Sequence, residues 1–285
     1  MKNKCGQHPW SIECYHHYNA GNWTTLDHPR NWSQIYGYHK WSTGPVNCER
    51  LGKTLEWKSL HRKPSVFDGG DFLKSVGSNK VVSFFGDSLS RQSFAVLLEA
   101  IQTPPQACNY GPLGNSKISF PTECVLALEG NDTTNITLRM HNDWYGDQTN
   151  ETCFTEADII VLNFGVWYFE AQAIGQRTNH TPSNDVSHMI QILNNIETLR
   201  KPHQLIVFRE SAEMRNPTSQ SLQIMTQELR PILIEHRIPI IAHQSTNLDY
   251  LHHDRIHWCE PALQLAWLTT LLHMVIDWNS REEIA

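Results

Sequence analysis

The chain has 285 residues, of which 40% are hydrophobic and 18% are charged, and this composition excludes a disordered protein. Its formal charge of −6 at pH 7 provides no basic field for nucleic acid or for an anionic membrane surface. We therefore expect a partner that is neutral or weakly charged, and no nucleic acid.

Residues 1–79 differ in composition from the rest of the chain. They are rich in Trp, His, Asn and Gly, and they show no sustained helical period. We expect a loop-rich N-terminal lobe that packs on a main domain formed by residues 80–285. Five tryptophans lie in this lobe, where interior packing is favoured over the lining of a sugar-binding cleft. They are Trp10, Trp23, Trp32, Trp41 and Trp57.

The cysteines indicate an oxidising compartment. Seven are present without a C-x-x-C pair, a pattern that favours disulfides over zinc or redox chemistry. We expect at least two disulfides, one of them within the N-terminal lobe among Cys5, Cys14 and Cys48. The odd number leaves either one free thiol or one cysteine whose partner lies outside this chain.

Asparagine sequons support the same compartment. Six N-x-[ST] sequons occur, more than chance gives, at Asn22, Asn31, Asn131, Asn135, Asn150 and Asn179. The first residues contain no apolar signal-peptide core, and the longest late apolar stretch, ALQLAWLTTLLHMVIDW (262–278), is too short to span a bilayer. We therefore expect a secretory-pathway protein with no membrane span in this sequence and with a signal or anchor upstream of it.

From residue 80 onward, short apolar runs alternate with segments of helical period. Buried strands are predicted for KVVSFFG (80–86), ADIIVLNFG (157–165), HQLIVFRE (203–210) and IPIIAHQ (238–244). Helices are predicted for residues 90–101, 186–200, 219–236 and 262–276, and an edge hairpin for VLALEG (125–130) with NITLRMHN (135–142). This alternation predicts a doubly wound, mostly parallel sheet in an α/β/α sandwich.

Ser88 stands where the first of these strands turns into a helix. In a doubly wound sheet, ligands bind outside the carboxyl ends of the strands, and there the amide of Ser88 also meets the positive end of the helix dipole. The serine is either the N-cap of that helix or a nucleophile. The sequences GDS (86–88), NFG (163–165) and RE (209–210) are expected along the same edge.

A nucleophilic serine needs a base and an acid that orients the base. Asp254 precedes His257 by three residues, a spacing that lets one turn bring the carboxylate to the imidazole. The alternatives are a loop of solvated charges and a metal site that adds His252 and His253. We favour the triad and expect no metal, because adjacent histidines point apart and no distant ligand cluster is evident.

Two further side chains are candidates at this edge. Asn163 ends a predicted strand, where its amide either donates to an oxyanion or only terminates the strand. Arg91 lies in the first turn after Ser88, where a cation is unfavourable beside the helix dipole. Arg91 therefore either is a solvated arginine or has a partner, which would be Asp87, Glu210 or the substrate.

Three blocks of the sequence follow a recognisable pattern. They read GDS-x-x-R, N-x-G-x-W, and D-x-x-H-W-C-x-P with a tryptophan ten residues after the histidine. The residues concerned are Gly86, Asp87, Ser88 and Arg91, then Asn163, Gly165 and Trp167, then Asp254, His257, Trp258, Cys259, Pro261 and Trp267. With these blocks the chain resembles, over roughly residues 36–270, the PC-esterase or trichome birefringence-like branch of the SGNH/GDSL hydrolase superfamily.

The resemblance implies an SGNH-like three-layer α/β/α sandwich and a Ser–His–Asp enzyme that moves or removes O-acyl groups, usually acetyl, on glycans. It implies no cofactor, with a small acyl donor as co-substrate, and a place in the Golgi lumen or outside the cell. We favour an O-acyltransferase over an esterase with the same triad, and both over a catalytically silent glycan-binding protein. The site residues implied are Ser88, His257 and Asp254 for catalysis, with Asn163, Gly165, Asp87, Arg91, Trp167 and Trp258 for the oxyanion and the substrate.

Overall fold

The structure is a computed structural model. It describes residues 5, 8–26, 54–112, 119–127, 135–142, 151–164, 182–211, 218–242 and 262–282. The strands within these ranges are β1 (Gly21–Leu26), β2 (Thr54–Ser59), β3 (Lys80–Gly86), β4 (Cys108–Pro112), β5 (Ser119–Ala127), β6 (Asn135–Asn142), β7 (Ile159–Asn163), β8 (Leu205–Arg209) and β9 (Ile240–Ile241). The α-helices are α1 (Ile12–Asn19), α2 (Gly69–Val76), α3 (Ser88–Ala100), α4 (Glu151–Glu156), α5 (Pro182–Leu199), α6 (Thr218–Glu235) and α7 (Ala262–Glu282).

Seven strands form one sheet in the order β4-β5-β6-β3-β7-β8-β9. Strands β6, β3, β7, β8 and β9 are parallel, whereas β4, β5 and β6 are joined by antiparallel pairs. The four strands and four helices predicted from hydrophobic patterning are all present. The mostly parallel sheet predicted from the sequence is therefore confirmed.

One prediction about the sheet is wrong in its placement. Strands β5 and β6 do pair antiparallel, with Ala127 opposite Asn135. However, β6 also pairs in parallel with β3 along its whole length, so it lies inside the sheet rather than at an edge. The edge on this side is β4, a strand that the sequence pattern does not reveal.

Helices cover both faces of the sheet. Strands β7 and β8 are buried at every residue, which requires cover on both sides. Helix α3 packs against β3 and α7, whereas α5 packs against α4 and α6. The result is the predicted three-layer α/β/α sandwich.

The described part of the N-terminal lobe packs on the last helix. Helices α1 and α2 and strand β2 all contact α7, and the lobe contains the small ladder β1–β2. The hydroxyl of Tyr18 donates to Asp277 in α7 at 2.5 Å, and Asn19 of α1 donates to the carbonyl of Ile240 at 2.9 Å. Within the lobe Trp57 is buried and meets Trp23 edge to face at 5.2 Å, which agrees with interior packing for this pair.

Two disulfides are present among the described residues. Cys5 bonds to Cys14 in the N-terminal lobe, and Cys108 bonds to Cys124 between β4 and β5. The prediction of at least two disulfides, with one in the lobe, is therefore confirmed. No helix in the described parts of the chain is long and apolar enough to cross a membrane.

Candidate active site

The carboxyl ends of four parallel strands form one polar edge. Gly86 at the end of β3 pairs with Asn142 of β6 on one side and with Asn163 of β7 on the other. Arg209 ends β8, the next strand along. In the sheet, β6 lies on one side of β3 and β7 lies on the other, so the strand order reverses at β3. Such a reversal is the usual place for a ligand in folds of this kind.

Ser88 is the first residue of α3, but it does not cap the helix. The cap is Asp87, whose carboxylate accepts a hydrogen bond from the amide of Leu89 at 2.8 Å. Ser88 is 3% exposed, and its Oγ makes no hydrogen bond to any residue that the structure describes. A buried hydroxyl that the fold does not use is a candidate for a chemical role.

Gly86 brings the ends of β3 and β7 together. A Cβ at this position would lie 2.5 Å from the backbone oxygen of Asn163 and 2.2 Å from the Oγ of Ser90. These distances are far below van der Waals contact, so only glycine permits this approach. The first residue of the GDS motif therefore serves to place Asn163 beside the start of α3.

Asn163 is completely buried and its amide is held from both ends. Its Nδ2 donates to the carbonyl of Arg209 at 2.9 Å and to the Oγ of Ser211 at 3.1 Å. Its Oδ1 accepts from the Oγ of Ser90 at 3.3 Å and from the guanidinium of Arg209. The role of Asn163 in an oxyanion hole stays a prediction. It requires a substrate oxygen to replace the Oγ of Ser211 as the acceptor of a hydrogen bond from Nδ2.

Arg209 carries a buried positive charge behind this edge. Its guanidinium stacks on the ring of Trp267 in α7, with 4.0 Å between Cζ and the ring centroid. Burial lowers the pKa of Arg209 to about 9, and the negative charge of Asp87 acts in the opposite direction. The guanidinium is therefore held by an aromatic ring and by the neutral groups of Asn163 and Ser90.

Arg91 is a second buried arginine near Asp87. Its Nη1 donates to the Oδ1 of Asn142 at 2.9 Å. Burial lowers the pKa of Arg91 to about 10, against the opposite effect of Asp87. Asn142 is a partner that the sequence did not suggest, while Glu210 accepts from the Nη2 of Arg230 at 2.9 Å.

The structure thus brings Ser88, Asp87, Arg91 and Asn163 together at one edge. The other predicted site residues, His257, Asp254, Gly165, Trp167 and Trp258, lie outside the described residues, as do His252 and His253. Among the residues that are described, no group of three or more His, Cys, Asp or Glu side chains could hold a metal ion.

The sequence placed Arg209 along this edge, within RE (209–210), because it ends an otherwise apolar strand. It did not suggest several other members of the polar edge: Ser90, Asn142, Ser211 and Trp267. Trp267 was noted as part of a motif, but its contact with Arg209 joins segments far apart in the chain.

No protein family matches the chain in a comparison of family profiles, and a comparison with curated proteins returns no match. Among solved structures, Axe2, an acetylxylan esterase from Geobacillus stearothermophilus, is 10% identical over 70% of this chain and 96% of its own, with a TM-score of 0.45. The acetyl xylan esterase AlAXEase is 14% identical over 69% of this chain and 100% of its own, also with a TM-score of 0.45. At this distance the similarity does not indicate the activity of this chain.

Proposed function

We propose that this chain is a serine-dependent enzyme of the SGNH/GDSL type that transfers O-acyl groups, acetyl above all, on glycans. One observation carries the proposal: the hydroxyl of Ser88 lies at the carboxyl edge of the sheet, is buried, and makes no hydrogen bond to the residues that the structure describes. The resemblance of the three sequence blocks to the PC-esterase branch supports the assignment of its partners.

The first half-reaction forms an acyl-enzyme. The Oγ of Ser88 attacks the acyl carbonyl carbon while the Nε2 of His257 accepts its proton, and Asp254 fixes the tautomer and offsets the imidazolium charge. The bond to the donor's oxygen then breaks, and that oxygen leaves with the proton from His257. The negative oxygen of the intermediate is stabilised by the amide of Ser88 at the start of α3 and by the amide of Asn163.

In the second half-reaction a sugar hydroxyl attacks the acyl-serine. His257 takes its proton and returns it to the Oγ of Ser88, so that the sugar carries the acyl group and the enzyme is restored. If water attacks instead, the protein is an esterase with the same triad. Transfer requires a bound acceptor and a cleft that disfavours water; we assign Trp167 and Trp258 to its wall, and Gly165 and Arg91 to the bound substrate.

The net charge of −6 supports a neutral or weakly charged glycan as the partner. The disulfides support an oxidising compartment, and the sequon residues Asn22 and Asn135 are both exposed. We therefore propose that the protein works in the secretory pathway, in the Golgi lumen or outside the cell.

The decisive experiment follows the fate of an acyl group. The purified protein is incubated with an acetyl donor, with and without neutral oligosaccharides, and acetylated sugar and free acetate are measured. We expect acetylated sugar, and we expect Ser88→Ala to lower its formation by about 10⁴-fold or more. Ser93→Ala is the matched control, because Ser93 is also a buried serine of α3 but donates to the carbonyl of Leu89 within its own helix.

Three results would change the proposal. Free acetate without acetylated sugar would make the protein an esterase. A fluorophosphonate that leaves Ser88 unlabelled in the folded protein would favour the silent glycan-binding protein. A reaction stopped by a chelator but not by a serine reagent would favour a metal site that includes His257.

A further inference from the structure

The buried position of the Arg209 charge is energetically unfavourable for folding. Arg209 is 2% exposed, and no carboxylate forms an ion pair with it among the described residues. A charge taken out of water without an opposite charge in contact is strongly unfavourable. Stacking on Trp267 recovers only part of that cost, so the guanidinium is expected to serve something beyond stability.

The contacts of Arg209 point to the oxyanion site. One arm of its guanidinium, Nη2, donates to the Oδ1 of Asn163 and, at 3.3 Å, to the Oγ of Ser90. A cation on Oδ1 fixes which end of the amide carries the N–H groups. It also draws electron density from the amide, which makes the Nδ2 hydrogens better donors.

The other arm of the guanidinium has no acceptor among the described residues. The Nη1 of Arg209 is buried and makes no hydrogen bond to any described residue. A buried, preorganised donor without an acceptor among the described residues is typical of a group whose opposite charge exists only during a reaction.

We propose that Arg209 is a positioning residue for the acyl-transfer reaction: it holds the amide of Asn163 in its donating orientation and supplies positive charge next to the oxyanion. The inference rests on the proposed function, because it needs the reaction at Ser88 to have an oxyanion. The negative charge that it stabilises forms on the acyl oxygen when Ser88 attacks, and it disappears when the acyl-serine is complete.

The test compares Arg209→Gln and Arg209→Lys with the wild-type protein. For Arg209→Gln we expect kcat to fall by about 10²–10³-fold, as for the loss of an oxyanion donor, with little change in KM for the oligosaccharide. Arg209→Lys is expected to lose less, because an ammonium keeps the charge but cannot reproduce the planar fork. Arg139→Met is the matched control, since it removes a strand arginine that pairs with Glu123 and Glu156 instead.

A double variant separates positioning from general destabilisation. If Arg209 acts through Asn163, then Arg209→Gln combined with Asn163→Ala should be hardly slower than the slower single variant. Additive losses would overturn the proposal, as would a folded Arg209→Gln protein with wild-type kcat. Rescue of Arg209→Ala by added methylguanidinium would support it, since a purely structural arginine gives no rescue of kcat.

Two further measurements separate a failure of the role of Arg209 from misfolding of its variants and from a failure of the proposed function. If the Arg209 variants do not fold, Ser90→Ala removes the neutral group that shares contacts with Asn163 and Arg209. We then expect a lower kcat with unchanged KM, and an unchanged kcat would overturn the proposal. If Ser88→Ala retains activity, the proposed function itself fails; if it abolishes activity while Arg209→Gln does not, only the role of Arg209 fails.

Discussion

At the scale of single residues, the absence of one carbon atom at Gly86 lets two strands end side by side. The position that a Cβ would occupy lies 2.5 Å from the backbone oxygen of Asn163. Backbone cannot move aside as a flexible side chain can, so any larger residue must push β3 and β7 apart. The spacing between Ser88 and Asn163 therefore depends on Gly86.

We expect Gly86→Ala to lower the free energy of unfolding by roughly 1–3 kcal/mol, the usual cost of overpacking a core. It should also lower activity, because the shift occurs at the polar edge. Denaturant unfolding and acetyl transfer measure the two effects. Gly70→Ala is the control, since its Cβ would meet only the side-chain oxygen of Asp68 at 3.3 Å, and it should be tolerated. Equal stability of both variants would contradict the close approach at Gly86.

Single residues also show which features of the site can be predicted from the sequence. The position of Ser88 at a strand-to-helix turn followed from local patterning, because a mostly apolar strand of seven residues meets a helical period there. The burial of Arg209 did not follow, because it depends on Trp267, which lies in a later helix that is not adjacent to β8 in the sequence. Local patterns do not report a contact between segments so far apart.

At the scale of elements, β4 shows why an edge strand is hard to predict. Its sequence, CNYGP, contains glycine and proline and has no alternation of apolar and polar residues. Its structure depends on pairing with β5 and on the disulfide from Cys108 to Cys124. Strands β7 and β8 are the opposite case, since their unbroken apolar sequences already indicate burial on both faces.

The disulfide of this edge gives a prediction. Cys108→Ser with Cys124→Ser opens a loop with a sequence separation of 16 residues, which should lower the free energy of unfolding by about 3 kcal/mol. Hydrogen exchange should become faster in β4 first. Activity should persist in the folded fraction, because β4 lies three strands from β3, about 14 Å away. Unchanged exchange in β4 would show that the strand pairing holds without the covalent bond.

At the scale of the whole molecule, α7 joins the N-terminal lobe to the sheet through buried polar contacts. Asp277 accepts from Tyr18 and from the guanidinium of Arg62. The Nε2 of His273 donates to the carbonyl of Pro64 at 2.7 Å, and burial favours the neutral form of the ring. The lobe is therefore held by groups whose charge states matter.

His273 makes this attachment sensitive to acid. Burial lowers its pKa from 6.5 to about 4, with the Pro64 carbonyl acting in the opposite direction and Arg62 in the same one. The unfolded chain therefore binds the proton more readily, so the contribution of neutral His273 is complete above about pH 6.5 and is lost as the pH falls toward 4. The loss is about 1.4 kcal/mol per pH unit within that window.

The measurement is the free energy of unfolding in urea between pH 7 and pH 4, for wild type and for His273→Gln. Glutamine can keep a donor to Pro64 but does not titrate. We expect the two curves to converge as the pH falls, because only the wild-type protein loses the contribution of His273. Carboxylates affect both proteins alike, so their difference reports the histidine. Parallel curves would contradict the assignment.

The N-terminal lobe is synthesised well before α7, the helix on which it packs. Of the elements described here, α1, β2 and α2 leave the ribosome early, and the helix on which they pack leaves it last. At 5–20 residues per second, synthesis of the chain between them takes on the order of ten seconds or more. During that interval α7 is not yet present to help cover side chains such as Tyr18, Phe72 and Val76, which are buried in the folded protein. The apolar side chains of the lobe that pack on α7 thus stay exposed to solvent or to a chaperone until that helix is made.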